Sequence, residues 1–258
     1  MDVFWTLPPV TRTITALALA VSALGYSGMI NMYNYIFISR AILTTKMMPQ
    51  LWRLFTAFLI TKPKFAILLD PYFLYQYGSG LEAESSRFSQ PGDFFIYTAF
   101  VAAVIVLVAG FLLKSAIFLQ ALSLAFAYTY AQDNPTRQVS FFIITFDAKY
   151  LPLSMLFLTF IIDGPDAAIT QATGLLAAHL YDFLTRIWPT FGGGRNYIFT
   201  PAIVKQWFGG RPGSVQQRSY GTAIQGRGRE GDRSSGRSTG FSGGPGWGER
   251  GPGRRLGD

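Results

Sequence analysis

"FFIYTAFVAAVIVLVAGFLL", Phe94 to Leu113, is a run of twenty residues without a single charge. A helix over this run, rising about 1.5 Å per residue, covers the roughly 30 Å hydrocarbon core of a bilayer. Inside hydrocarbon the backbone must satisfy its own hydrogen bonds, so the run predicts a membrane-spanning helix and an all-α membrane protein.

Reading outward, "SAIFLQALSLAFAYTYA" (Ser115 to Ala131) follows after Lys114 alone, which predicts a tight helical hairpin. "ITALALAVSALGYSGMI" (Ile14 to Ile30) and "AAITQATGLLAAHLYDFLTRIW" (Ala167 to Trp188) are the expected first and last spans. Two segments are weaker. Phe55 to Tyr77 carries Lys62, Lys64 and Asp70, and Tyr150 to Ile162 has only 13 residues unless "FFIITFDAK" (Phe141 to Lys149) extends it. A charge at the centre of a span costs about 2.5 to 3.5 kcal/mol, so these segments are expected to lean on neighbouring helices or a wet cavity. The count is six spans. "VSA" (Val21 to Ala23) also resembles a signal-peptide cleavage site, but the leader has a single basic residue, Arg12, and the apolar run continues past the cut.

Composition agrees with a membrane domain. Of 258 residues 50% are hydrophobic and 14% charged, against about 25% charged in an ordinary soluble domain. Cysteine is absent and His179 is the one histidine. Disulfides, thiolate chemistry and multi-histidine metal sites are thereby excluded.

The net charge of +8 belongs to the tail: Met1 to Gly194 holds 11 Lys+Arg against 10 Asp+Glu, and Arg195 to Asp258 holds 11 against 4. The organisation read from this is a membrane domain over 1–190, a juxtamembrane segment over 191–210 and a basic Gly/Arg-rich tail over 211–258. The tail has too few apolar residues to build a core and is expected to be disordered. Arg/Gly-rich tails also occur in RNA-binding proteins; a solvated cytosolic tail obeying the positive-inside rule is the preferred reading, with no nucleic-acid partner. Six spans then place both termini in the cytosol. Arg40, Lys46 and Arg53 fall on the opposite side, a conflict softened if their loop lies in the membrane interface.

That loop contains "PQLWRLFTAFL", Pro49 to Leu59. As a helix it sets Leu51, Phe55, Phe58 and Leu59 on one face, with Arg53 and Thr56 to the side. An amphipathic, membrane-embedded first loop is expected, in which the Trp52 indole sits at the interface and the Arg53 guanidinium snorkels to lipid phosphate or holds neighbouring loop groups. Loss of Trp52 is expected to matter more than Arg53→Lys.

Trp52-Arg53, "YFLYQYGSGLE" (Tyr72 to Glu82), "YTYAQDNP" (Tyr128 to Pro135), "YLP" (Tyr150 to Pro152), "GLLAAHLYDFL" (Gly174 to Leu184) and "GGRNYIFTP" (Gly193 to Pro201), in this order, resemble the Derlins. The resemblance runs from about Pro9 to Trp207. It implies a rhomboid-like six-span bundle of the endoplasmic reticulum membrane, proteolytically inactive, that helps move misfolded proteins to the cytosol for degradation. It implies no cofactor and no metal. The partners it implies are misfolded clients, the valosin-containing AAA ATPase, a membrane ubiquitin ligase complex, the lipid bilayer itself and homo- or hetero-oligomers.

Rhomboid proteases carry serine in a Gly-x-Ser-Gly turn at the fourth span and histidine in the sixth. Ser115 and Ser123 lack those glycines, the histidine position is taken by Gln171, and His179 lies eight residues on. His179 is read as a buried polar residue bonded to a neighbouring helix, lining a polar groove with Gln120 and Gln171. An active intramembrane protease and a small-solute transporter are the competing readings; the second would show internal repeats, and none is evident. Derlins usually place Gly-x-x-x-Gly in the last span; Gly174 and Ala178 keep the small-xxx-small spacing that lets helices approach. At the C-terminus Gly251, Gly253, Arg255, Leu256 and Gly257 match the ATPase-binding pattern of the family, with its aromatic displaced to Trp247.

Overall fold

The computed structural model describes residues 7–42, 49–63, 65–90, 92–141, 144–191, 198 and 200–208. The protein is mostly helical. Its six longer helices are α1 (Pro9–Tyr26), α2 (Ala66–Glu84), α3 (Asp93–Ile105, continued as a π-helical stretch Val106–Leu112), α4 (Leu119–Asp133), α5 (Leu151–Asp163) and α6 (Pro165–Asp182). A further π-helical stretch (Phe183–Ile187) and a helical turn (Trp188–Phe191) prolong α6.

α4 is the axis of the bundle. Its most extensive contacts are with α6 and α2, and it also touches α5 and α3. The sequence explains the position: Ala121, Ser123, Ala125, Ala127 and Ala131 alternate with Leu119, Leu122, Leu124 and Phe126, and all are buried. A helix apolar on every side is stable only when surrounded. The outer helices present large apolar side chains outward, among them Leu107, Leu112, Leu153, Phe157, Phe160, Ile161 and Leu176. A surface of that kind needs lipid or protein over it. Among the described residues one helix, Asp93–Leu112, is both long and apolar enough to cross a membrane, with a mean hydropathy of 2.6.

The two ends of the bundle are held by polar contacts. At one end Glu82 of α2 caps α1: its carboxylate accepts from the Val10 amide (2.9 Å) and from the Thr11 amide and hydroxyl (both 2.8 Å). Pro9 opens that helix without an amide hydrogen of its own, so Glu82 covers the next two orphan donors. Nearby, Arg87 in the α2–α3 connection pairs with Asp133 at the end of α4 and, at 2.8 Å, with Asp182 at the end of α6. Glu82→Ala is expected to lower the stability of the purified protein in detergent by about 0.5–2 kcal/mol, the usual range for a lost helix cap. An unchanged unfolding midpoint would show that the cap is redundant.

Several expected elements differ. "FFIITFDAK" does not lengthen α5 as α-helix: Phe141 and Ile144–Asp147 belong to an antiparallel hairpin, β1 (Gln138–Phe141) with β2 (Ile144–Asp147), Phe141 opposite Ile144, and Ala148–Tyr150 form a 3-10 turn ahead of α5. Aromatic and β-branched residues favour the pleated form, and the hairpin stacks the Phe141 ring on Phe73 of α2 at 5.1 Å. α5 therefore keeps its 13 residues. In the weak segment Phe55 to Tyr77, helix α2 starts only at Ala66 and buries Asp70. Within Pro49–Leu59 a single α-helical turn forms, Arg53–Thr56, and Phe55 is exposed while Phe58 is buried, so the expected common face does not form. Beyond α6 a short helix, Ala202–Trp207, lies against the start of α3, with Thr200 donating to Asp93 and Phe208 packed on Phe95.

Candidate functional site

Trp52, Arg53 and Thr56 stand on the helical turn of the first loop and reach four consecutive backbone carbonyls. The Arg53 guanidinium donates through Nη1 to Tyr33 (2.6 Å) and Ile36 (2.8 Å). The Trp52 indole donates to Asn34 (3.3 Å), and the Thr56 hydroxyl to Tyr35 (2.8 Å). Gln50 accepts from Arg53 Nε, and the guanidinium lies over the Tyr33 ring. This four-point clamp ends where the chain turns inward. Phe37 donates its amide to the Ala116 carbonyl (2.9 Å) and buries its ring against Phe111 and Phe118. Gly110 makes room: a Cβ there would come within 2.8 Å of the Phe37 ring.

Of the two roles expected for Arg53, the geometry shows the second, holding neighbouring loop groups. Arg53 is only 3% exposed, so its guanidinium serves the protein's own carbonyls and does not snorkel to phosphate. A buried carbonyl without a donor is costly, which explains why a charge is tolerated here. Trp52 is 51% exposed and Phe55 75%; with Leu51 they form the outward apolar side of the same turn. Thr56, read from the sequence as lying to the side, proves to be a clamp member.

A second constellation lies one to two turns inside the same end of the bundle. A cavity of about 30 Å³ is lined by Asp70 of α2, Gln120 of α4, Thr159 and Asp163 of α5 and Gln171 of α6, within apolar walls. Gln120 donates to Asp163 (3.0 Å), and Lys62 approaches the same carboxylate at 3.4 Å. Asp70 Oδ2 and Gln171 Oε1 are buried without a hydrogen-bond partner. Gln120 and Gln171 thus share one cavity, as expected, but His179 does not join them. It is exposed and pairs through Nδ1 with the Tyr128 hydroxyl (2.9 Å) on α4, so the expected buried position is corrected while the bond to a neighbouring helix is present. Two turns of helix separate it from Gln171, which turns it out of the cavity. Asp70 and Asp163 were missed as partners of the two glutamines; a carboxylate inside an otherwise apolar segment was the available signal.

The third feature is the α4–α6 contact. A Cβ on Gly174 would lie 1.8 Å from the Ala121 carbonyl oxygen and 2.6 Å from its carbon. The helices touch backbone to backbone at this point. Ala178, one turn on, keeps its methyl with 1% exposure. Of the two serines, Ser123 donates to the Gln120 carbonyl (2.9 Å) within its own helix, and Ser115 lines a shallow depression with Lys62 and Asp163. Among the described residues no group of His, Asp and Glu could hold a metal ion. Trp247, Gly251, Gly253, Arg255, Leu256 and Gly257 lie outside the described residues.

Residues 7–202 match the model of the Der1-like family. Derlin-1 of Mus musculus is 32% identical over 262 residues, covering 100% of this chain and 98% of its own length, and Derlin-1 of Homo sapiens matches with the same figures. Derlin-2.2 of Zea mays is 31% identical over 171 residues, 62% of this chain and 67% of its own. Sequence order, the helical bundle and these relatives agree, and the chain belongs to the Der1-like family, the Derlins.

Proposed function

We propose that this membrane protein acts in endoplasmic-reticulum-associated degradation, as a proteolytically inactive rhomboid-like bundle that eases misfolded proteins from the endoplasmic reticulum toward the cytosol. The match to Derlin-1 along the whole chain is the observation that carries this reading. The six longer helices serve as spans, both termini lie in the cytosol, and the exposed Leu51, Trp52 and Phe55 rest in the lumenal interface of the bilayer.

The helix lengths support a physical mechanism. α5, which turns Leu153, Phe157 and Ile161 outward, has 13 residues, so it rises only about 20 Å against a hydrocarbon core of about 30 Å. Lipid around spans of that length thins. A thinner barrier lowers the cost of carrying polar backbone and charged side chains across. The cavity between Asp70, Gln120 and Gln171 offers polar groups to the client. The tail recruits the AAA ATPase through Leu256 and its flanking glycines, Gly251, Gly253 and Gly257, with Arg255 and Trp247 assisting, and a membrane ubiquitin ligase marks the client.

The test is replacement of a cell's own Derlin by this chain, with the half-life of a misfolded membrane client and copurification of the ATPase from gentle detergent as readouts. The wild-type chain should restore degradation and bring the ATPase with it. Leu256→Ala with Gly257→Ala should lose the ATPase and lengthen the client half-life several-fold, while the protein remains membrane-inserted with its tail inaccessible to glycosylation. Undiminished recruitment by the double variant would overturn the role of the tail; failure of the wild-type chain to restore degradation would overturn the function.

A further inference from the structure

The polar cavity holds more acceptor capacity than the protein itself uses. Asp70 is 7% exposed and Gln171 3%, yet Asp70 Oδ2 and Gln171 Oε1 have no donor. Buried polar atoms are normally satisfied, so an orphaned pair facing one cavity points to a donor that arrives from outside. Asp163, on the same wall, has Gln120 and the more distant Lys62 as its donors. Two carboxylates share one lysine, so a cation is the arriving donor that would also balance their charge.

Size narrows its identity. About 30 Å³ takes one or two water-sized groups. An ammonium fits that space, with three donors for Asp70, Gln171 and Asp163, whereas a planar guanidinium does not. The walls are apolar: Leu69 and Phe73 from α2, Met155, Leu158 and Ile162 from α5. They suit the four-carbon stem of a lysine approaching between α2 and α5. The outward faces beside this entrance, Phe65 and Leu68 on one helix, Phe157 and Ile161 on the other, are exposed and apolar.

We propose that the cavity is a recognition site for the ε-ammonium of a lysine carried by an apolar helix, so that this chain selects membrane clients with a lysine near the lumenal end of a span. The proposal deepens the functional reading above and rests on it. Asp70 and Gln171 lie four and six residues into their helices, which sets the lysine about 6–9 Å below the end of the bundle. An unpaired lysine within a span is a mark of an unassembled or misfolded membrane protein, because a folded one pairs it. Lys62, held at 3.4 Å, is the residue that a client lysine displaces from Asp163.

The purified full chain in lipid nanodiscs is titrated with a fluorescent 21-residue Leu/Ala helix carrying one lysine six residues from its end. The comparison peptides carry acetyl-lysine, arginine or leucine at that place. The lysine peptide should bind about tenfold tighter than the other three, as a buried charge-assisted contact would give. Asp70→Asn should reduce it to the level of the acetyl-lysine peptide. Equal binding of all four peptides overturns the proposal, and so does a lysine preference that survives Asp70→Asn or is matched by arginine. The acetyl-lysine comparison stands on the wild-type protein alone, so the test holds even if Asp70→Asn does not fold. A missing lysine preference alongside restored client degradation in cells would remove this site and leave the functional reading in place.

Discussion

Gly174→Ala is expected to cost this protein its folded α4–α6 contact, and Gly174→Val to prevent accumulation of folded protein. The added methyl would meet the Ala121 carbonyl oxygen at 1.8 Å, more than an ångström inside any tolerable separation. The methyl is fixed to the α6 backbone and its partner is the α4 backbone, so no side chain can rotate away, and α6 must leave α4 along the length of their contact. Overpacking of a core ordinarily costs about 1–3 kcal/mol, and a backbone clash belongs at or above the top of that range. Because α4 also carries α2, α3 and α5, the displacement reaches the whole bundle. Ala178→Gly is the control, expected to be mild because Ala178 already fits. Unfolding in detergent by heat or denaturant checks the pair. A Gly174→Ala protein as stable as wild type would show that α4 and α6 stand further apart than described.

The same contact shows what a reading of the sequence can reach. Gly174 and Ala178 were legible as a close-approach pair because small residues four apart on an apolar helix have one packing consequence. Which helix they approach was not legible: the partner is Ala121, more than fifty residues away, and no local pattern in α4 singles it out. The central place of α4 was hidden likewise, since a helix apolar on all sides reads the same whether lipid or protein surrounds it. Asp70 stood out as a charge in an apolar segment, yet its neighbours Asp163 and Gln171 come from two other helices. The hairpin Gln138–Asp147 was misread because a short apolar run does not by itself distinguish strand from helix. His179 is expected inside, whereas helical phase turns it outward. Pro49–Leu59 is a different case: one α-helical turn, Arg53–Thr56, falls within it, so a face drawn over eleven residues has no helix to lie on.

Arg53→Lys is the second substitution with a large expected effect, and it ranks above Trp52→Ala, the reverse of the order expected from the sequence. The guanidinium spans two carbonyls, Tyr33 and Ile36, while Nε serves Gln50. A lysine ammonium is a single point on a flexible stem, so it leaves at least one of these buried acceptors unpaired, a loss of about 1–3 kcal/mol. Trp52 contributes one bond of 3.3 Å from a half-exposed ring. Its removal strips the outward apolar side of the loop but spares three of the four carbonyl contacts. The two variants should therefore separate by readout. Arg53→Lys should loosen Phe37, whose amide donates to Ala116, and raise its hydrogen-exchange rate about 5–150-fold. Trp52→Ala should leave that rate within about threefold, the change from a single weak bond. Both should slow client degradation in cells, Arg53→Lys through an undocked loop and Trp52→Ala through a docked loop at the wrong depth in the bilayer. If Arg53→Lys leaves exchange at Phe37 untouched, the clamp does not hold the loop. If Phe37 loosens and degradation continues at the wild-type rate, the loop is held for stability alone, and the passage of clients does not depend on where it sits.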